Sequence, residues 1–206
     1  MTAPSPITTV VFDYGNVICT PQPAADLARM EELSGVPPVG FWAAYWAERL
    51  DYDAGLSGHE YWNRVARHTG ADWDLATLQA LWRADLTSWL HPEPSTIALI
   101  DRLAAGSTRL ALLSNAALGF AGALRDSPVL SGFDAVFFSC DIGVCKPDPA
   151  IYQHALDALG SSPQETAFID DREENVRAAA ELGIVAHHYT DGAGLEKFLD
   201  QVGVSY

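Results

Sequence analysis

Polar residues that could share one site close three short apolar runs of this chain, and a fourth stands in a later loop. Asp13 follows VVF and precedes a Gly15/Asn16 turn, Ser114 and Asn115 follow LALL, and Asp170 and Asp171 follow AFI. Lys146 lies between apolar residues and Pro147, and the only other lysine is Lys197. A hydroxyl beside a helix N-terminus favours anions, and a compact loop cation balances carboxylates or binds phosphate. Asp170 and Asp171 brought beside Asp13 would repel strongly unless a cation lay among them. One or two carboxylates with several waters suit Mg2+. Each position also has a local explanation. Asp13 can satisfy its own turn, Ser114 or Asn115 can cap a helix, and a loop lysine is commonly solvated. Acids at a helix start complement its dipole, which covers Glu173 and Glu174 but leaves Asp170 and Asp171 less fully explained.

The elements that must position these residues are readable from periodicity. ITTVVFDY, RLALLS, AVFFS, TAFID and IVAHHY read as strands. Amphipathic helices are expected over residues 95–105, 116–126, 148–159, 173–182 and 193–202. Continuous apolar strands alternating with helices indicate a parallel sheet covered on both faces. The expected fold class is therefore α/β, a doubly wound parallel sheet, whose ligand crevice lies beyond the carboxyl ends of the strands.

A different composition interrupts this pattern. All six tryptophans lie between two proline pairs, Pro21 with Pro23 and Pro92 with Pro94, which discourage helix or strand from continuing. Between them Trp42, Tyr45, Trp46 and Arg49 fall at i, i+3, i+4 and i+7, and Ser57 and Asp74 suit helix N-caps. About four helices are expected between residues 24 and 90. The chain thus divides into a core, residues 1–20 and 93–206, and a small inserted α-helical cap, residues 21–92.

FDYGNV, LLSNA, CKPDPAIY and FIDDREENVRAA, taken in order, resemble the four motifs of the haloacid dehalogenase-like hydrolase superfamily. The resemblance spans nearly the whole chain, cap included. It implies a Rossmann-like core, phosphoryl substrates and Mg2+. Asp13 would be the nucleophile and a metal ligand, and Ser114 and Lys146 would hold the phosphoryl group. Asp171 would be the other main carboxylate ligand, with Asp170 beside it as ligand or support, and the carbonyl of Gly15 would complete the set. Asn16, Asn115, Cys19 and Thr20 are candidate substrate-binding residues. Most phosphatases of the superfamily carry a second aspartate where this chain has Gly15, so the carbonyl survives and the proton donor does not. A general acid contributes on the order of 10² to 10⁴ in rate, so poor leaving groups should suffer most. The DxGNV form resembles a branch that includes sugar-1-phosphate phosphatases. Asn175 also stands where many relatives place an acid.

The function this implies is Mg2+-dependent hydrolysis of a small phosphorylated metabolite through an aspartyl-phosphate intermediate. One alternative is metal-free 2-haloacid dehalogenation, against which the pair Asp170/Asp171 speaks. The other is a degenerate protein that binds a metabolite or partner. In the cap, Trp42, Trp46 and Trp62 are expected in the core ahead of a substrate wall. Arg49, Arg64 and Arg67 are expected to be solvated or paired ahead of substrate contact.

The remaining composition narrows the field. The chain has 206 residues, 49% of them apolar, and twelve basic against 27 acidic side chains give a formal charge of -15. That sign repels phosphate backbones and anionic lipid, so neither nucleic acid nor membrane is an expected partner, and oligomeric state is open. MTAPSPITTV has neither a basic leader nor an apolar run, so a soluble, cytoplasmic protein is expected. Cys19, Cys140 and Cys145 form no CxxC and read as free thiols. His187 and His188 are adjacent on a strand and should face opposite ways, a poor metal pair.

Overall fold

The computed structural model describes residues 6–204. The reading of the N-terminus as leaderless rests in part on residues 1–5, which lie outside the described residues. Strands β1 (Thr9–Phe12), β2 (Arg109–Ser114), β3 (Ala135–Phe138), β4 (Thr166–Asp170) and β5 (Val185–His188) form one sheet in the order β3-β2-β1-β4-β5. Every pairing is parallel. The chain runs from β1 outward to β2 and β3, then returns to the other side of β1 for β4 and β5. β1 and β4 therefore flank the point where the winding reverses, where a crevice opens at the carboxyl edge.

Alternation along the strands divides the core between two faces. Val10, Phe12, Leu110, Leu112, Ala167 and Ile169 pack on one side with residues of α6 (Pro94–Ala104), α7 (Leu118–Arg125) and α11 (Gly192–Gln201). Val11, Ala111, Leu113 and Phe168 pack on the other with α9 (Pro149–Leu159) and α10 (Glu173–Glu181). The expected doubly wound, Rossmann-like sheet is what the chain adopts. One detail differs: α7 begins at Leu118 behind Ala117, so neither Ser114 nor Asn115 caps it. Both stay in the segment that leaves β2.

Five helices occupy the stretch between residues 24 and 90 to which the sequence assigns about four. They are α1 (Ala24–Ser34), α2 (Pro38–Ala47), α3 (Arg49–Asp53), α4 (Gly58–Thr69) and α5 (Leu75–Ser88). The extra element arises because the helix breaks at Glu48, which closes α2 and opens α3. Ser57 and Asp74 cap as expected, accepting hydrogen bonds from the N–H groups of Glu60 at 3.2 Å and Thr77 at 2.8 Å. The bundle has its own apolar centre, in which Met30, Phe41, Tyr45, Tyr61, Trp62, Val65 and Leu81 are buried. Phe41 stacks near Trp62 and meets Trp42 and Trp73 edge-on. Its two connections to the sheet run side by side: Thr20 donates to the carbonyl of His91 and Glu93 to that of Ile18, both at 2.8 Å. α8 (Ser139–Ile142), a single turn after β3, touches the bundle where Ser139 Oγ donates to the Asp53 carbonyl at 2.5 Å.

Removing the Phe41 ring leaves a cavity among aromatic neighbours that cannot collapse together. Phe41→Ala should destabilise the protein by about 3–5 kcal/mol, read as a lower urea midpoint. A loss under about 1 kcal/mol would show that the ring is not a core residue.

Candidate active site

The carboxyl ends of β1, β2 and β4 bring together Asp13, Ser114, Asp170 and Asp171, residues far apart in sequence. β1 ends at Phe12, but the Asp13 N–H still donates to the Ile169 carbonyl of β4 at 2.8 Å, which carries the ladder one residue further. The N–H groups of Val17, Ile18 and Cys19 then all point to the Tyr14 carbonyl, so the chain turns tightly. Asn16 has a left-handed backbone, φ 54°, which asparagine tolerates better than most residues.

Lys146 enters from the loop ahead of α9 and is buried at the centre. Its Nζ lies 2.7 Å from Asp13 Oδ1 and 2.7 Å from Asp170 Oδ2, and donates to the Leu113 carbonyl at 2.8 Å. Asn115 holds the lysine's backbone from both sides, its Nδ2 donating to the Lys146 carbonyl at 2.9 Å and its Oδ1 accepting from the Lys146 N–H at 2.8 Å. The peptide bond between Lys146 and Pro147 is cis.

Asp170 is fully buried and its hydrogen bonds are many. Besides Lys146, it accepts from the Arg172 N–H at 2.9 Å and from Asn175 Nδ2 at 2.9 and 3.1 Å. Asn175 is itself fixed through its carbonyl, which accepts from the Tyr152 hydroxyl at 3.0 Å. Asp171 is half-buried, and its Oδ2 accepts from Asn16 Nδ2 at 2.8 Å. Carboxylate oxygens of Asp13, Asp170 and Asp171 lie within 4.8 Å of one another.

Charge balance follows from this geometry. Burial, with Asp170 and Asp171 close by, pushes the Asp13 carboxyl up to about 7 although Lys146 pulls it down. Burial also raises Asp171, against the pull of Asn16 and Lys146. Lys146 is raised above its usual range, because Asp13 and Asp170 outweigh its desolvation. The lysine stays charged, and the carboxylates remain short of positive charge.

A cleft of about 630 Å³ opens over this cluster, lined below by Asp13, Gly15, Asn16, Ser114, Asn115, Lys146 and Asp171. Two of the candidate substrate-binding residues are not in it. Cys19 is buried in the core of the sheet because the turn after Asp13 carries it inward, and burial pushes its thiol up to about 12. Thr20 joins the connection to His91 through its backbone N–H and does not line the cleft, so neither residue offers a side chain to it. Asn16 and Asn115 line it, but their amides are bonded to Asp171 and Lys146 rather than left for a ligand.

From the bundle come Trp46, Arg49, Leu50, Asp53 and Trp89. Trp62 is core and Trp42 donates to Glu31 at 2.7 Å, as expected of most of these aromatics, whereas Trp46 faces the cleft. Arg64 and Arg67 pair with Glu48, Asp51 and Glu60 away from it. Leu50, Asp53 and Trp89 had no motif to mark them. The one usable signal was the i, i+4 spacing of Arg49 and Asp53. His187 stacks on Phe198 at 4.5 Å while His188 Nε2 lies 2.9 Å from the Asp171 carbonyl, so the two rings serve different surroundings.

The haloacid dehalogenase-like hydrolase family model matches residues 7–183. A sesquiterpene phosphatase of Aspergillus oryzae is 26% identical over 183 residues, 88% of this chain and 89% of that protein. Among solved structures, a HAD-family enzyme of Bacteroides thetaiotaomicron in complex with magnesium and inorganic phosphate superposes with a TM-score of 0.71. It is 20% identical and the match covers 89% of this chain and 94% of that one. An L-2-haloacid dehalogenase of Xanthobacter autotrophicus superposes almost as well, with a TM-score of 0.70 at 20% identity over 97% and 85% of the two chains. Fold likeness alone therefore does not separate phosphate from halide chemistry. The match across most of the chain makes this protein a member of the haloacid dehalogenase-like hydrolase family.

Proposed function

We propose that the chain is a Mg2+-dependent phosphatase that hydrolyses a small phosphate monoester, with Asp13 as nucleophile and the inserted bundle as a cap over the cleft. The observation that carries this reading is the lysine ammonium held 2.7 Å from both Asp13 and Asp170 with Asp171 beside them. Two further carboxylates beside the nucleophile carry more negative charge than Lys146 neutralises, which favours a cation-dependent reaction over metal-free halide displacement.

The donor set fits a hard divalent cation. It consists of oxygens only, lies within 4.8 Å, and contains more negative charge than Lys146 neutralises. Asp170 is spent on Lys146, Asn175 and the Arg172 N–H, so Asp13, Asp171 and the carbonyl of Gly15 would hold Mg2+. Bound there, the ion would neutralise phosphoryl oxygens and align them. Asp13 Oδ1 is held by Lys146, which orients the carboxylate for in-line attack on phosphorus. As the bond from Asp13 to phosphorus forms, the ester P–O bond breaks and the leaving oxygen takes its proton from solvent. Water then attacks phosphorus, freeing phosphate and restoring the Asp13 carboxylate. Lys146, trading one of its three present hydrogen bonds, and the Ser114 hydroxyl bind phosphoryl oxygens, and positioning with charge neutralisation supplies most of the rate. Asn115, Asn16 and Asn175 act as positioning residues for Lys146, Asp171 and Asp170.

Gly15 sets the leaving-group preference. A Cβ at this position would meet Asp13 Oδ2 and Trp89 at 3.9 Å, ordinary contacts, so space does not demand glycine. Its consequence is the missing proton donor.

Hydrolysis of acetyl phosphate and p-nitrophenyl phosphate by the purified protein should require Mg2+ and stop with EDTA. Asp13→Asn should lower turnover by about 10³-fold or more, and full turnover in that variant would refute the mechanism. Alkyl phosphates should be hydrolysed far more slowly than acetyl phosphate, and Gly15→Asp should raise the alkyl rate by about 10-fold or more. Equal rates on both classes in the unaltered protein would refute the assignment of Gly15.

Asp13 also makes stability depend on pH. Its carboxyl titrates at 3.8 when unfolded and about 7 when folded, so the folded state holds the extra proton between these values. Stability from this group is full below pH 3.8 and is lost as pH rises through 7. The melting temperature of metal-free protein, relative to that of Asp13→Asn, should fall across this window. Mg2+ should restore it most above pH 7. A pH-independent difference between the two proteins would contradict the buried charge balance.

A further inference from the structure

We infer that the ester's leaving group is an uncharged, aromatic or similarly apolar alcohol, packed against Trp46, Leu50, Trp89 and Phe120. The inference rests on the phosphatase reading and extends it to substrate class. The cleft, at about 630 Å³, is far larger than a phosphoryl group, so what fills the remainder is decided by the residues above the carboxylate cluster. Trp46 and Leu50 leave 52% and 61% of their surface exposed although both line the cleft. They come from the two sides of the helix break at Glu48, which turns both towards the same space. Trp89 lines the cleft from the end of the bundle, its carbonyl accepting from the Tyr14 hydroxyl at 3.2 Å. Phe120 completes the apolar lining from α7.

The charged groups of this upper wall are already satisfied. Arg49 Nε is bonded to both oxygens of Asp53 at 3.0 and 3.1 Å, while its Nη1 meets Asp85 at 3.3 Å and the Tyr45 hydroxyl. One guanidinium thus faces two carboxylates, and Asp53 itself lines the cleft. Arg172, at the rim, pairs with Glu174. Among the described residues that line the cleft, a leaving group carrying a second anion would find Arg49, Lys146 and Arg172 already paired with acids, and a surplus of acid. One rich in hydroxyls would lose water against indole and leucine without regaining its hydrogen bonds. A flat apolar ring gains contact with both tryptophans, and a phenolic oxygen departs without the proton donor that Gly15 lacks.

The test compares kcat/KM for phenyl, naphthyl and para-carboxyphenyl phosphates, with acetyl phosphate as a substrate too short to reach the upper wall. Naphthyl phosphate should exceed phenyl phosphate by about tenfold, from the additional apolar surface buried. The carboxyphenyl ester should fall below phenyl phosphate although its leaving group is the better one. Trp46→Ala and Leu50→Ala, both at exposed positions, should bring the naphthyl-to-phenyl ratio towards one. A flat ratio in the unaltered protein, a faster carboxyphenyl ester, or ratios unmoved by both variants overturns the inference. If acetyl phosphate is turned over while the aryl esters are not discriminated, the inference fails and the phosphatase reading stands. If nothing is turned over, calorimetric binding of the same esters to Asp13→Asn decides. The order naphthyl, phenyl, carboxyphenyl upholds the apolar wall without the phosphatase reading, and any other order overturns it.

Discussion

Burying carboxylates at the ends of two adjacent strands is the constraint on which the site depends, and Lys146 is what makes it tolerable. An ionised group removed from water costs several kcal/mol unless a partner with good geometry replaces the lost hydration. Lys146 meets that condition with two carboxylates and one carbonyl, all within 2.8 Å. Its own position is set by Asn115, which grips the backbone on both sides of the residue. Asp170 is likewise saturated by Lys146, Asn175 and a backbone N–H. What remains is Asp13, pushed up towards neutrality, and a half-buried Asp171. In the proposed function, the half of the cluster fixed by Lys146 leaves Asp13 and Asp171 to accept positive charge.

The sheet supplies the precision this arrangement needs. Asp13 directly follows β1 and Asp170 ends β4, so their separation is governed by the ladder between these paired strands and not by loop flexibility. The bundle supplies a different property. It folds about its own aromatic centre and joins the sheet through two neighbouring connections held by hydrogen bonds between residues 18–20 and 91–93. Its buried ion pairs at Arg49 lie between that centre and the cleft, where they tie the helix break at Glu48 to α5 through Asp85. In the proposed function the two parts divide the work: the sheet sets the charges, and the bundle decides what can lie above them.

Much of this was legible in the chain itself. Continuous apolar runs, amphipathic helices between them, and the cluster of tryptophans between proline pairs point to a parallel sheet and a helical insert, because the pattern of apolar residues records which faces of an element are buried. The types and order of Asp13, Ser114, Lys146 and Asp170/Asp171 announce a site at the strand ends, since only certain residue types can hold a phosphoryl group or a cation. Which of them touch was not legible. That Asn16 serves Asp171 and Asn115 serves Lys146 depends on contacts across 155 and 31 residues. That Cys19 turns into the core, while Trp46 turns out to the cleft, depends on a tight turn at Tyr14 and a break at Glu48. Periodicity records how often a residue is buried, but hydrogen-bond partners and the direction of a side chain at a turn are set by elements distant in sequence, and only the tertiary structure brings those together.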